Sequence, residues 1–193
     1  MMALGPNGAL PLTRQWPPAP DAMRELETVV TFLEMQAEVL HHVAPPANIK
    51  LLLLRVENIS LHFYRFLYNS IGRDFEWHDR KYLSDSELSG FIHAEGVEVW
   101  VLYVGGQPAG YFELGPADNT TIELEYFGLF SEFHGLGLGK WLLSEAIRAA
   151  WARLPKRVIV QTCTLDGPAA LPLYQKMGFT PYAQENKIMM AED

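Results

Sequence analysis

Apolar and polar positions along the chain follow two periods, and the changes between them mark out the elements. Residues 28–35 (Thr-Val-Val-Thr-Phe-Leu-Glu-Met) are β-branched and apolar and predict a strand. Residues 41–48, with Pro45-Pro46, predict a loop. Residues 50–56 hold four consecutive leucines, which suit a short strand and a buried helical turn equally. Over 60–70, Leu61, Tyr64, Phe66, Leu67 and Tyr68 suit a helix ending near Gly72. Ser84 with Glu87 three residues on is a capping-box pattern, opening a second helix that runs to about His93. A strand over 97–104, a hairpin turn at Gly105-Gly106 and a returning strand over 108–114 come next. Asp118-Asn119 turns the chain into a third strand over 122–129. Leu143, Ala146, Ile147, Ala150, Trp151 and Leu154 then recur at helical spacing, with Pro155 expected to end that helix. Residues 157–164 predict another strand, and the helical connection makes it parallel to the one before, by a right-handed crossover. A short helix over 169–177, with Gly178 at its end, leads to a last strand or hairpin.

The order β, α-α, β-β-β, α, β, α, β defines an α/β chain. Pro and Gly crowd the opening stretch (Gly5-Pro6, Pro11, Pro17-Pro18, Pro20), so an arm is expected over 1–25 and a single domain over 26–193. With 193 residues, 49% hydrophobic and 20% charged, the composition is that of a globular domain able to bury a sizeable core. Cys163 is the one cysteine, so no intramolecular disulfide exists. Residues 1–20 hold one basic residue, Arg14, and no apolar core, unlike a signal peptide, and no run is long enough to span a bilayer. The expected location is cytoplasmic. A formal net charge of -8 argues against a nucleic-acid partner, which needs a basic surface. It fits cationic or amine substrates, and it fits solubility alone.

The segment His134-Gly135-Leu136-Gly137-Leu138-Gly139-Lys140 lies between a predicted strand and a predicted helix. Unpaired backbone N–H groups and the helix dipole make such a start an anion site, and glycine lets phosphates approach the backbone. The spacing excludes the dinucleotide pattern G-x-G-x-x-G, since Lys140 and Leu142 stand where its last glycine falls. It also excludes the Walker pattern, because Lys140 is followed by Trp141.

His134-x-x-Gly137-x-Gly139 resembles the (Gln/Arg)-x-x-Gly-x-(Gly/Ala) signature of the GNAT superfamily of N-acetyltransferases. The later block Ala170-Leu171-Pro172-Leu173-Tyr174-Gln175-Lys176-Met177-Gly178-Phe179 resembles that family's A-x-x-L-Y-x-K-x-G-F segment. The resemblance covers about 97–182. It implies a mixed, mostly antiparallel sheet with a central parallel strand pair and flanking helices. It further implies transfer of an acetyl or other short acyl group from coenzyme A to a primary amine of a small molecule or peptide, by direct attack in a ternary complex. A homodimer is compatible with it. Two positions depart from the pattern: His134 stands where Gln or Arg is usual, and Gly167 where Asn often precedes the second block. Asp166 is the candidate substitute there.

Attack on a thioester needs a neutral amine, and alkylamines hold their proton up to about pH 10, so a base is required. Glu123 and Glu125 lie on the strand before the glycine run and share one face at strand spacing. The family's base often falls at the register of Glu123, which makes Glu123 the first candidate and Glu125 the second. The resemblance also puts the thioester carbonyl on the backbone N–H of Leu129, adds Phe127 as a cofactor contact, and makes Tyr174 the acid for the leaving thiolate. Cys163, inside an apolar strand, reads as buried and inert. The histidines at 41, 42, 62, 78, 93 and 134 show no zinc-ligand spacing, so no metal is expected. For the acceptor, the resemblance points to 64–68 and 75–80, where aromatic residues beside acids suit either an ammonium cradle or core with a solvated rim. A non-catalytic acyl-coenzyme A sensor is the alternative, and turnover separates the two.

Overall fold

The computed structural model describes residues 23–39 and 43–192, with side chains described over 24–39 and 43–189. Among these, seven strands form one sheet in the order β2-β3-β4-β5-β6-β1-β7. The strands are β1 Met23–Met35, β2 Leu51–Arg55, β3 Glu98–Val104, β4 Gln107–Asp118, β5 Thr121–Leu129, β6 Arg157–Cys163 and β7 Thr180–Glu192. The helices are α1 Leu61–Gly72, α2 Asp85–Ile92, α3 Leu138–Trp151 and α4 Ala170–Lys176. Every neighbouring pair is antiparallel except β5 and β6, which run parallel as the helical connection requires.

The four leucines form the edge strand β2, with Leu51 and Leu53 packed on the core and Leu52 and Leu54 exposed. This period of two is what a strand imposes and a buried helical turn would not. The last segment is one strand, β7, bound to β1 along its length. β1 begins at Met23, inside the stretch expected to be the arm, and residues 1–22 lie outside the described residues, as do His41 and His42.

The sheet is covered on both faces. On one, α3 and α4 bury Leu142, Leu143, Ala146, Tyr174 and Met177 against Leu33, Phe112, Leu124 and Val160. On the other, α1 and α2 bury Tyr64, Leu67, Tyr68, Ile71 and Leu88 against Val99, Val101 and Tyr111. Both helix starts of this second layer are capped, that of α2 by the box the sequence predicts. The Ser60 hydroxyl accepts the Phe63 N–H, and Ser84 and Glu87 form a reciprocal capping box.

The helical pattern through Leu154 overshoots. Helix α3 ends at Trp151, and Leu154 has a φ of 55° and is 90% exposed. Pro155 bars its predecessor from the helical region, so the chain turns before the proline is reached.

Candidate functional site

β5 and β6 are bonded only between residues 121–124 and 157–160. Beyond that, β5 runs on to Leu129 and β6 to Cys163 without pairing, so the two strands part and a gap opens in the middle of the sheet. The Phe130 N–H donates to Ala109 O at 3.0 Å. Alternation along an antiparallel ladder then turns the N–H groups of Leu129 and Phe127 away from β4 and into this gap.

A β-bulge in β5 decides which side chains flank the gap. Glu113 faces Tyr126 and Leu114 faces Leu124, which leaves Glu125 as the extra residue. Ile122 and Leu124 point to the α3 layer, and after the bulge so do Phe127 and Leu129. Glu123, Glu125 and Tyr126 turn to the α1–α2 side. Simple alternation would have sent Tyr126 to the face of Leu124.

The glycine run sits at the mouth of the gap. Gly135 and Gly137 both have φ of 76°, in the left-handed region, and Gly137 is the N-cap of α3. No side chain caps α3, so its first backbone N–H groups remain open to an anion. A Cβ on Gly135 would meet nothing within 4 Å, and one on Gly137 would approach only Pro46, at 3.7 Å. Leu138 is buried in the core and offers only its backbone, while Leu136 and Lys140 are exposed. His134 lies outside the cradle of amides. Its Nε2 donates to Leu129 O at 3.1 Å, pinning the loop to the end of β5. These features fit the pyrophosphate of coenzyme A: open donors, no acid in the first turn, and a backbone free of side chains.

Tyr174 on α4 faces the gap from the α3 side. Its ring meets Phe127 at 6.2 Å and Phe179 at 6.0 Å, both edge-on. Burial, and then the Asp166 carboxylate, push the phenol well above its usual range and hold it protonated. Asp166 spends one oxygen on its own turn, accepting from Thr162 Oγ1 at 2.7 Å and from the Cys163 N–H at 2.9 Å. Gly167 has a steric reason, because a Cβ there would lie 3.2 Å from Phe75 Cε1. Cys163 is half-buried, not buried as expected. It ends β6 where β5 has already swung away, so no strand covers it on that side.

Glu123 and Glu125 do share a face, on the far side of the sheet from Tyr174. Burial, reinforced by Glu125, raises the Glu123 carboxyl to about 7. Burial also raises Glu125, against the pull of Arg80. Tyr64, one of the aromatic residues expected in an ammonium cradle, already holds a cation of the protein itself, together with Tyr126. The Arg80 guanidinium lies 4.7 Å from the Tyr126 ring centre and 5.6 Å from that of Tyr64. It is bound by Glu113, which is fully buried in β4. Sequence reasoning did not single out Glu113. The available signal was a lone acid inside the otherwise apolar run Tyr111-Phe112-Glu113-Leu114.

The fold and this groove define an α/β protein with an anion cradle at the mouth of a parted strand pair. The sequence matches the model of the acetyltransferase (GNAT) family over residues 59–179. No curated protein sequence matches it. Among solved structures, it resembles a conserved protein of unknown function from Staphylococcus epidermidis (TM-score 0.56, 19% identity, 88% of this chain and 63% of that one). It also resembles a GCN5-related N-acetyltransferase from Sphaerobacter thermophilus (TM-score 0.60, 11% identity, 89% of this chain and 53% of that one). A third is an acetyltransferase from Bacillus subtilis in complex with CoA (TM-score 0.52, 22% identity, 69% of this chain and 79% of that one). The chain thus spans less than two thirds of the first two proteins. It belongs to the acetyltransferase (GNAT) family. No helix among the described residues is long and apolar enough to cross a membrane.

Proposed function

We propose that the protein is a cytoplasmic N-acyltransferase that moves an acetyl or other short acyl group from coenzyme A to a primary amine of a small molecule or peptide. One observation carries the reading: β5 and β6 part just beyond Glu123, with Glu123 on one face of the sheet, Tyr174 against Phe127 on the other, and the open start of α3 at the mouth of the gap. Coenzyme A, when bound, supplies an activated thioester. Its pyrophosphate would be held by the amides of 135–140, and Phe127 and Leu129 would contact the rest of it. The Leu129 N–H donates to the thioester carbonyl oxygen as that oxygen gains charge, where a donor in a dry site is worth about 3 kcal/mol. Glu123 takes the ammonium proton, and a carboxyl near 7 is poised for this at neutral pH. Tyr174 donates its hydroxyl proton toward the departing sulfur. The amine attacks directly, so no covalent enzyme intermediate forms.

The test is release of free thiol from acetyl-CoA over a panel of primary amines, polyamines, amino acids and peptides. Turnover with at least one acceptor, lost in Glu123→Gln, is the expected result. Tight cofactor binding without turnover on any acceptor would favour the sensor instead.

A further inference from the structure

We propose that Arg80 is a positioning residue that, working through Glu125, makes Glu123 the carboxylate of the pair that takes the acceptor's proton. This rests on the acyltransferase reading of the site. Arg80 follows α1 in the connection to α2 and is 8% exposed. Its Nη1 is 2.6 Å from Glu113 Oε1 and 2.8 Å from Oε2, and donates to Tyr64 Oη at 2.5 Å. The Tyr64 hydroxyl donates a hydrogen bond to Glu113 Oε2 at 2.8 Å, and the Arg80 backbone N–H donates to Tyr68 Oη at 3.1 Å. With the Tyr126 ring against the guanidinium as well, the group is held in place. Its other nitrogen, Nη2, stands 3.8 Å from Glu125 Oε2.

A buried ion pair of this kind is a poor stabilising device, since desolvation consumes most of the attraction. What it provides is a fixed cation beside one of two neighbouring carboxylates. Among the described residues Glu123 has no such partner. On its side of β6 and β1, Arg157 is committed to Glu34 at 3.1 Å and to the Thr121 hydroxyl. Among the described residues, the other charged groups acting on Glu125 are Glu113 on β4 and Asp79 beside Arg80, both of which disfavour a further negative charge there. The phenols of Tyr64, Tyr68, Tyr111 and Tyr126 are all pushed up by burial and stay neutral. Two interacting carboxylates lose their protons in sequence. The first leaves Glu125, beside the guanidinium, and the resulting charge holds the second on Glu123. Arg80 thereby separates a permanent anion from a proton acceptor that works near neutrality.

The experiment follows the carboxyl carbons of Glu123 and Glu125 by NMR as a function of pH in 13C-Glu-labelled protein, assigned with Glu123→Gln and Glu125→Gln. Glu125 is expected to titrate below Glu123. Arg80→Gln/Glu113→Gln replaces the charged pair with a neutral hydrogen-bonded one and avoids leaving Glu113 buried alone. That variant loses the pull of Arg80 on Glu125 together with the smaller opposing push of Glu113, so the Glu125 step should rise and close on Glu123. Arg80→Lys, a milder change that loses the second nitrogen of the fork, should narrow the same separation and serves if the double variant does not fold. Glu123 titrating first, or a separation unchanged in the folded variants, would overturn the proposal. The titration is read without turnover, so absence of activity on every amine would sink the acyltransferase reading and leave the role of Arg80 still decided by NMR. Where turnover is found, Arg80→Gln/Glu113→Gln should move the acidic limb of kcat/KM with Glu125 present and leave it in place in a Glu125→Gln background. Equal movement in both backgrounds would refute action through Glu125.

Discussion

Replacing Glu123 with Gln keeps the shape of the side chain and removes its charge, and it should have opposite effects on activity and stability. In the folded protein the carboxyl is raised from 4.5 to about 7, first by burial and then by Glu125. At about 1.36 kcal/mol per pH unit, that rise corresponds to about 3.4 kcal/mol. Partial exposure of the group to solvent screens this, and about 2 kcal/mol is a fair expectation. The sign follows from linkage. Below pH 4.5 the group is protonated in both folded and unfolded chains and carries no penalty. Between 4.5 and 7 the unfolded chain ionises first, so native stability falls as pH rises, and above 7 the full penalty applies. Glu123→Gln escapes it. Urea melts should therefore show the variant about 2 kcal/mol more stable than wild type at pH 8, equivalent to about 4–8 °C in Tm, with no difference near pH 4. Thiol release should fall by about 100-fold or more, the usual contribution of a general base. A variant no more stable at pH 8, or equally altered at both pH values, would show that Glu123 is not held in a charge-disfavouring site. Activity within a few-fold of wild type would remove Glu123 as the base.

Three further changes probe the rest of the groove. Tyr174→Phe keeps the ring against Phe127 and Phe179, so CoA affinity and melting should hold while kcat drops about 10-fold or more; an unchanged kcat removes the acid role. Gly137→Glu puts a carboxylate into the phosphate cradle at a φ of 76° and should abolish CoA binding by calorimetry, whereas retained affinity would move the pyrophosphate elsewhere. At Gly128 a Cβ would fall 2.4 Å from Ile71 Cγ2, so Gly128→Ala should cost about 1–3 kcal/mol in a denaturant melt and be partly restored by Ile71→Ala. Equal melts for wild type and Gly128→Ala would contradict the close seating of α1 on β5.

Local signals carried the helix starts and the glycine run because they are local in physics. A serine hydroxyl three residues from an N–H, or a glycine free to take positive φ, acts within one turn of chain. The same holds for β3, β4 and β5, whose alternation and turn residues lie side by side in sequence. Legibility failed where a contact crosses the molecule. Nothing near Arg80 in sequence points to Glu113, because their meeting depends on α1 docking over β4. Cys163 looked buried because its strand is apolar, yet its exposure is set by where β5 turns away.

The sequence alone determined that this is an α/β chain with a glycine-rich helix start after a three-strand meander, because those signals are local in spacing and side-chain chemistry. The proposal of Glu123, Glu125 and Tyr174 as proton-moving groups rests on the resemblance to the family. Only the tertiary structure decided that the N-terminal strand β1 lies between β6 and β7, and that a bulge at Glu125 keeps Tyr126 on the face of Glu123 while Phe127 and Leu129 turn to the face of Tyr174. Only there does a buried Arg80 stand beside one carboxylate and not the other. Register, burial and proximity between distant segments arise when the sheet closes and the two helical layers dock. No local pattern encodes them.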